Sequence, residues 1–247
     1  MLISAGEIIS KSITLYRMHW KSFTEYLLYI GAPLVLSTGL SALVDPNSIG
    51  LLGLFFVVTI ALYLFLMLVS ISFIRAIADA YTGKKIMPVK EALKASTKFF
   101  WPAVFVMILT GLIIFGGFIL VIVPGVLFMV WYAFGYYEVV LDGEQGWKAL
   151  QTSRQLVLGR WWATLWRLVA PGFVFAILLF VGEGLFTLFG NIIAKSVPSL
   201  EDAVVLIVGL FILLLSLALS PLSSAAPTIL YLELKKTPHA KTASPNE

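Results

Sequence analysis

Apolar residues gather into six stretches along this chain, near 22–44, 51–80, 101–121, 125–141, 161–189 and 203–232. A helix of about 20 residues crosses the ~30 Å hydrocarbon core of a bilayer, so the pattern predicts six transmembrane helices. The third and fourth are separated only by "IVPGV" at 122–126. Pro124 fixes φ there and Gly125 accepts positive φ, so a tight turn folding the two spans into a hairpin is expected.

Between the apolar runs lie three stretches that read alike, at 6–20, 89–102 and 147–162. They align on Ser12, Ser96 and Ser153. Three and four residues earlier stand Ile8-Ile9, Ala92-Leu93 and Ala149-Leu150. Three and four residues later stand Leu15-Tyr16, Phe99-Phe100 and Leu156-Val157. These offsets put all five positions on one helical face. Ser10 and Thr14, Lys94 and Lys98, and Gln151 and Gln155 fall opposite. Tryptophan follows each copy, at Trp20, Trp101 and Trp161-Trp162, where an amphipathic ring suits the headgroup level.

Each unit thus reads as an amphipathic interfacial helix followed by two spans. The fold class expected is all-α integral membrane: six transmembrane helices, three amphipathic interfacial helices and an approximate threefold repeat. The repeat units run about 4–82, 88–142 and 146–234 within a single membrane domain, 1–234. The amphipathic helices should lie in the membrane plane with their apolar faces in lipid, and the small serines should let a neighbouring helix approach. Stripes at Ser72, Ala76 and Ala80, and at Ser216, Ser220 and Ser224, should do the same within spans. Pro221 and Pro227 should kink the last span. The segment 235–247 lacks apolar periodicity and is expected to be disordered.

Composition supports lipid as the solvent. The chain is 60% hydrophobic and 12% charged, against about 25% charged in soluble domains. Of the 17 Lys and Arg, all but Lys195 flank the spans on one side, so the positive-inside rule places both termini in the cytoplasm of a cytoplasmic (inner) membrane. External loops are then expected near 45–50, 122–125 and 190–202. The first span is too long for a cleaved signal-peptide core.

The run 122–162, with its Pro-Gly turn, acidic residue, Ala-Leu-x-x-Ser helix and Gly-Arg-Trp, resembles prokaryotic polytopic membrane proteins. These are similar to the membrane domain attached to some glycerophosphoryl diester phosphodiesterases and to YciC-type proteins. The opening "GEIISKSITLYRMHWKSF", 6–23, is similar as well. The resemblance implies a membrane module. Phosphodiesterase activity would reside in a separate soluble region, for which the chain to Glu247 leaves no room, so that activity is not expected.

Candidate chemistry is sparse. There is no cysteine, and the histidines are His19 and His239. No catalytic constellation, metal-ligand spacing or cofactor motif occurs, so no catalytic residue, metal or cofactor is expected. Ionisable groups inside spans are costly and mark sites by default. They are Glu25, Arg75, Asp79, Glu138 and Glu183. Arg75 and Asp79 are four apart and can pair on one helix face, with Glu138 at a matching depth; lying within about a turn of the interface, the three are also placed to snorkel and hold the bundle together. Glu183, between Gly182 and Gly184, should sit a turn or two from the last external loop.

Partners expected are membrane lipids, anionic headgroups at the cytoplasmic face above all, with a protein partner or a second copy also possible. Nucleic acid is not expected, because the basic residues spread along membrane-plane helices. The leading reading is a non-catalytic scaffold or accessory protein. The alternative is a small transporter or lipid-handling protein with a polar site among the helix ends.

Overall fold

Ser4 starts the first helix by a capping box: its hydroxyl accepts from the Glu7 N–H, and the Glu7 carboxylate accepts from the Ser4 N–H at 2.7 Å. From there the chain is helical almost throughout, in a computed structural model that describes residues 2–41, 44–45, 47–197, 199 and 201–237. Helix α1 (Ala5–Met18) leads into α2 (Trp20–Ser41), α3 (Ile49–Tyr81), α4 (Val89–Leu120) and α5 (Ile122–Tyr132). A short α6 (Gly135–Tyr137) runs into a π-turn (Glu138–Asp142), followed by α7 (Gly146–Val157), α8 (Trp161–Ser196) and α9 (Glu201–Lys236). No strand occurs among the described residues.

Six segments are long and apolar enough to cross a membrane: α2, α3, α4, Ile122–Asp142, α8 and α9. The chain is an all-α, multi-pass membrane protein. Its spans pair in sequence as three antiparallel hairpins, α2–α3, α4–α5 and α8–α9. Away from the hairpins' shared end, large apolar side chains such as Phe56, Leu112, Phe180 and Leu206 stand exposed. Such extended apolar surface is tolerable only against lipid or another helix.

The buried core is concentrated at one end, here called the base. In α3 every buried residue lies within Val69–Ala80, and in α9 within Pro221–Leu234. Phe23, Tyr26, Phe73, Phe134 and Tyr231 are fully buried there. The Ser72, Ala76 and Ala80 stripe is buried too, so α3 meets its neighbours over small side chains. Helix α9 is continuous through Pro221 and Pro227.

Four expectations need correction. First, only α1 and α7 are separate amphipathic helices. The copy at 89–102 is the opening of α4, which continues unbroken through Pro102.

Second, the apolar faces of these segments are covered by protein. Ile8, Ser12 and Leu15 of α1, Ala92 and Ser96 of α4, and Ala149, Leu150, Ser153 and Val157 of α7 are all buried. The base supplies apolar surface of its own, and Gly135 makes room for α7: a Cβ there would lie 2.8 Å from Leu150 Cδ2.

Third, the α4–α5 turn is made by Val121 alone, in an extended conformation at φ −165°. Pro124 and Gly125 already belong to α5, and Gly125 is not among the glycines with positive φ. Its small size is what matters: a Cβ on Gly125 would meet the Phe118 ring at 2.5 Å, and one on Gly117 would meet Gly125 Cα at 2.9 Å.

Fourth, helices outrun the apolar stretches. Helix α8 continues to Ser196, inside the loop expected at 190–202, and α9 takes in Lys235 and Lys236 from the expected tail. The remainder of that tail, 238–247, lies outside the described residues, as do 42–43 at the end of the first expected span and 46, 198 and 200 in the expected loops.

Candidate functional site

The second helical arm of each hairpin brings a pair of polar residues, four apart, to the base. Arg75 and Asp79 come from α3, Glu138 and Asp142 from the π-turn, and Tyr231 and Lys235 from α9. Residues at i and i+4 share a helix face, so each arm presents both members to the same side.

Lys235 joins two of these arms. Its Nζ lies 2.7 Å from Asp142 Oδ1 and 3.9 Å from Glu138 Oε2. Tyr231 donates its hydroxyl to Asp142 Oδ2, and the Lys235 ammonium stands 5.6 Å from the Tyr231 ring centroid. Glu138 is fully buried, and neither carboxylate oxygen has a hydrogen-bond partner. A buried, hydrogen-bond-poor carboxylate is costly unless something compensates it, and Lys235 is its near counter-charge.

The backbone explains this placement. In the π-turn the helix widens, with the Glu144 N–H bonding the Glu138 carbonyl and the Gly143 N–H bonding that of Val139. Gly143 then ends the turn in the left-handed region at φ 76°, which glycine takes without strain. Such π segments recur at functional sites. The Val140 carbonyl accepts from Arg75 Nη1 at 3.1 Å.

Arg75 does not form the pair with Asp79 that the spacing allows. No ion pair joins them; the guanidinium is held by Val140 and lies 4.6 Å from the Phe99 ring centroid. A planar cation satisfies a carbonyl and an aromatic face together, and both lie across the interface with the second hairpin. The Asp79 carboxylate is left facing a cleft.

That cleft has a volume of about 270 Å³, and its lining includes Arg75, Asp79, Lys84, Asp142 and Lys235. Toward the membrane-spanning arms the base is packed with aromatic rings. Phe23 meets Phe73 at 5.3 Å and Tyr137 meets Tyr231 at 5.7 Å between centroids.

The other candidates lie elsewhere. Glu25 is exposed on α2. Glu183 is half-buried on α8, more than three turns short of Ser196 rather than a turn or two from a loop. It borders an open groove with Thr187 and Asn191 of its own helix. The neighbouring Gly182 makes room for Leu215 of α9, whose Cδ2 would lie 2.5 Å from a Cβ.

Sequence reasoning missed Asp142, Tyr231 and Lys235. The i,i+4 spacing from Glu138 to Asp142 was a usable signal. The α9 pair had none without the fold. Basic residues read only as topology signals also have structural partners. Arg160 donates to the Leu234 carbonyl at 3.0 Å, and Arg167 donates to that of Ile3.

Among the described residues no three His, Cys, Asp or Glu side chains are grouped to hold a metal ion. The fold and the cluster define a multi-pass, all-helical membrane protein with a charged cleft at one end. No protein-family model, curated protein or solved structure matches the chain.

Proposed function

We propose that this is a non-catalytic scaffold or accessory protein of a prokaryotic cytoplasmic membrane. Its base faces the cytoplasm and engages anionic lipid headgroups, while the exposed apolar hairpin arms receive partner helices. One observation carries the reading: Trp20, Trp101, Trp147, Trp162 and Trp166 are all exposed, with Trp20, Trp147 and Trp162 at the starts of α2, α7 and α8, Trp166 a turn further along α8, and Trp101 within the amphipathic opening of α4. Exposed lysines stand beside them, at Lys21, Lys94, Lys98 and Lys148. Indole rings settle at the headgroup level and lysines attract anionic lipid. The resemblance to prokaryotic membrane modules of the phosphodiesterase-associated type points the same way. The three i,i+4 pairs, one per hairpin, support the threefold repeat that belongs to this reading.

The test is thermal unfolding of the full chain in phosphatidylcholine nanodiscs with and without phosphatidylglycerol. Anionic lipid should raise Tm, and the rise should vanish when Lys94, Lys98 and Lys148 are all replaced by Glu. An equal Tm in both lipids would sink the reading. Native mass spectrometry from the same discs then reports a second copy or a protein partner.

A second reading, lipid or solute handling, is favoured by the cleft that reaches Asp79 and Asp142.

A further inference from the structure

Two open regions of the molecule differ in kind. The groove between α2 and α3, bordered by Leu28, Pro33, Leu36 and Phe65, is apolar and suits only hydrocarbon. The cleft in the base carries both signs of charge, and several of its charges are unanswered within the protein.

Lys235 is taken up by Asp142 and Glu138. Lys84 and Asp79, by contrast, have no ion-pair partner among the described residues. They are held near each other by the backbone, the Lys84 N–H bonding the Asp79 carbonyl at 2.8 Å. Arg75 adds a third cation. Behind Lys235, fully buried, the Glu138 oxygens lack any hydrogen-bond donor.

From this arrangement we infer that the cleft binds a zwitterionic headgroup joining a phosphate to a primary ammonium: phosphoethanolamine chemistry, presented by a phospholipid of the adjoining leaflet. The inference rests on the lipid-engaging reading above and names the headgroup. A purely anionic ligand would face Asp79 and Asp142, and a purely cationic one would face Arg75, Lys84 and Lys235. A zwitterion answers both sets. Its phosphate meets Arg75 and Lys84, where charge-assisted hydrogen bonds are strong, and its ammonium meets Asp79 and Asp142.

Lys235 is the exchangeable part of the site, since its side chain is 35% exposed. As it turns toward the phosphate, the ligand's ammonium takes its place beside Asp142 and keeps a positive charge in front of the buried Glu138. The volume, about 270 Å³, falls just below the ~300–1,000 Å³ of sites for drug-sized ligands. It suits a headgroup rather than a whole lipid or a nucleotide.

The experiment uses the full chain in phosphatidylcholine nanodiscs doped with either phosphatidylethanolamine or phosphatidylglycerol, with retained lipid read by native mass spectrometry. Phosphatidylethanolamine should be retained preferentially. Asp79→Asn and Lys84→Gln should each lower that retention by about tenfold, as expected for losing one charged partner, with Tm in lipid-free detergent unchanged. Glycerophosphoethanolamine and inorganic phosphate are titrated in parallel by thermal shift. Protection by the former shows that the headgroup suffices; protection by the lipid alone shows that the acyl chains are needed too. Both outcomes support the inference.

Equal retention of phosphatidylglycerol, protection by phosphate alone, or no effect of Asp79→Asn overturns it. Anionic-lipid dependence without ethanolamine selectivity removes this inference and leaves the scaffold reading standing. The converse removes the scaffold reading's lipid basis while keeping the site.

Discussion

Ser12, Ser96 and Ser153 occupy matching positions and are all fully buried, yet their hydroxyls do different things. Ser153 repairs the break between α5 and α6, accepting from the Phe134 N–H at 3.1 Å and donating to the Trp131 carbonyl at 2.8 Å. Ser12 donates only to Ile8, within its own helix, and Ser96 has no partner. Removing one side of a buried hydrogen bond costs about 1–3 kcal/mol, whereas removing an unpartnered hydroxyl costs little. Ser153→Ala should therefore lower stability by that amount, Ser12→Ala by less, and Ser96→Ala hardly at all. Unfolding in mild detergent gives the order, and equal losses would show that small size alone decides these positions. The spacing in the sequence marked all three as facing inward. It could not tell them apart, because the groups that Ser153 bonds lie at a kink in another helix.

Elements were legible in their existence and less so in their limits. Hydropathy marks where lipid contact begins and ends, but helical hydrogen bonding continues wherever nothing caps it. Helix α9 runs on through Lys235 and Lys236 because lysine is a good helix former and sits favourably at a helix C-terminus. The α4–α5 turn falls at Val121, just ahead of the Pro-Gly stretch that was expected to make it. Its glycines serve close approach, and that yields a graded prediction. A methyl on Gly117 would press on Phe128 and on the backbone of Gly125, and one on Gly125 would press on the Phe118 ring at Cγ, its fixed end. Gly117→Ala and Gly125→Ala should each cost about 1–3 kcal/mol by overpacking. Gly111→Ala, with nothing within 4 Å of its Cβ, should be neutral or slightly stabilising. Thermal unfolding of the three variants checks the order.

At the start of the chain, the Ser4–Glu7 capping box makes α1 sensitive to acid. Hydrogen bonds from the Ser4 backbone and hydroxyl hold the Glu7 carboxyl below its ordinary value of 4.5. A folded-state value below the unfolded one means that this support is complete above the ordinary value. It is lost as pH falls through the depressed one. Hydrogen exchange in residues 5–18 should accelerate on acidification below about pH 4.5, and Glu7→Gln should flatten the response, since an amide oxygen still caps without titrating. An unchanged profile in Glu7→Gln would assign the acid response to another group.

For the whole molecule, charge placement and core placement agree on one end. Sixteen of the 17 Lys and Arg flank that end in the sequence, and the buried core, the aromatic packing and the charged cleft gather there. The individual charges Arg75, Asp79 and Glu138 were visible as oddities in apolar sequence. Tyr231 and Lys235, which meet Glu138 and Asp142, were not, because only the meeting of the second and third hairpins brings them close. Which side of the membrane this end faces can be read directly, because the chain has no cysteine. Asn47, between α2 and α3, and Lys85, between α3 and α4, are both exposed and lie at opposite ends of α3. In intact cells Asn47→Cys should react with an impermeant thiol reagent, and Lys85→Cys should react only after lysis. The reverse pattern would turn the base outward. The tryptophans and lysines would then meet the outer leaflet, and any headgroup in the cleft would have to come from there.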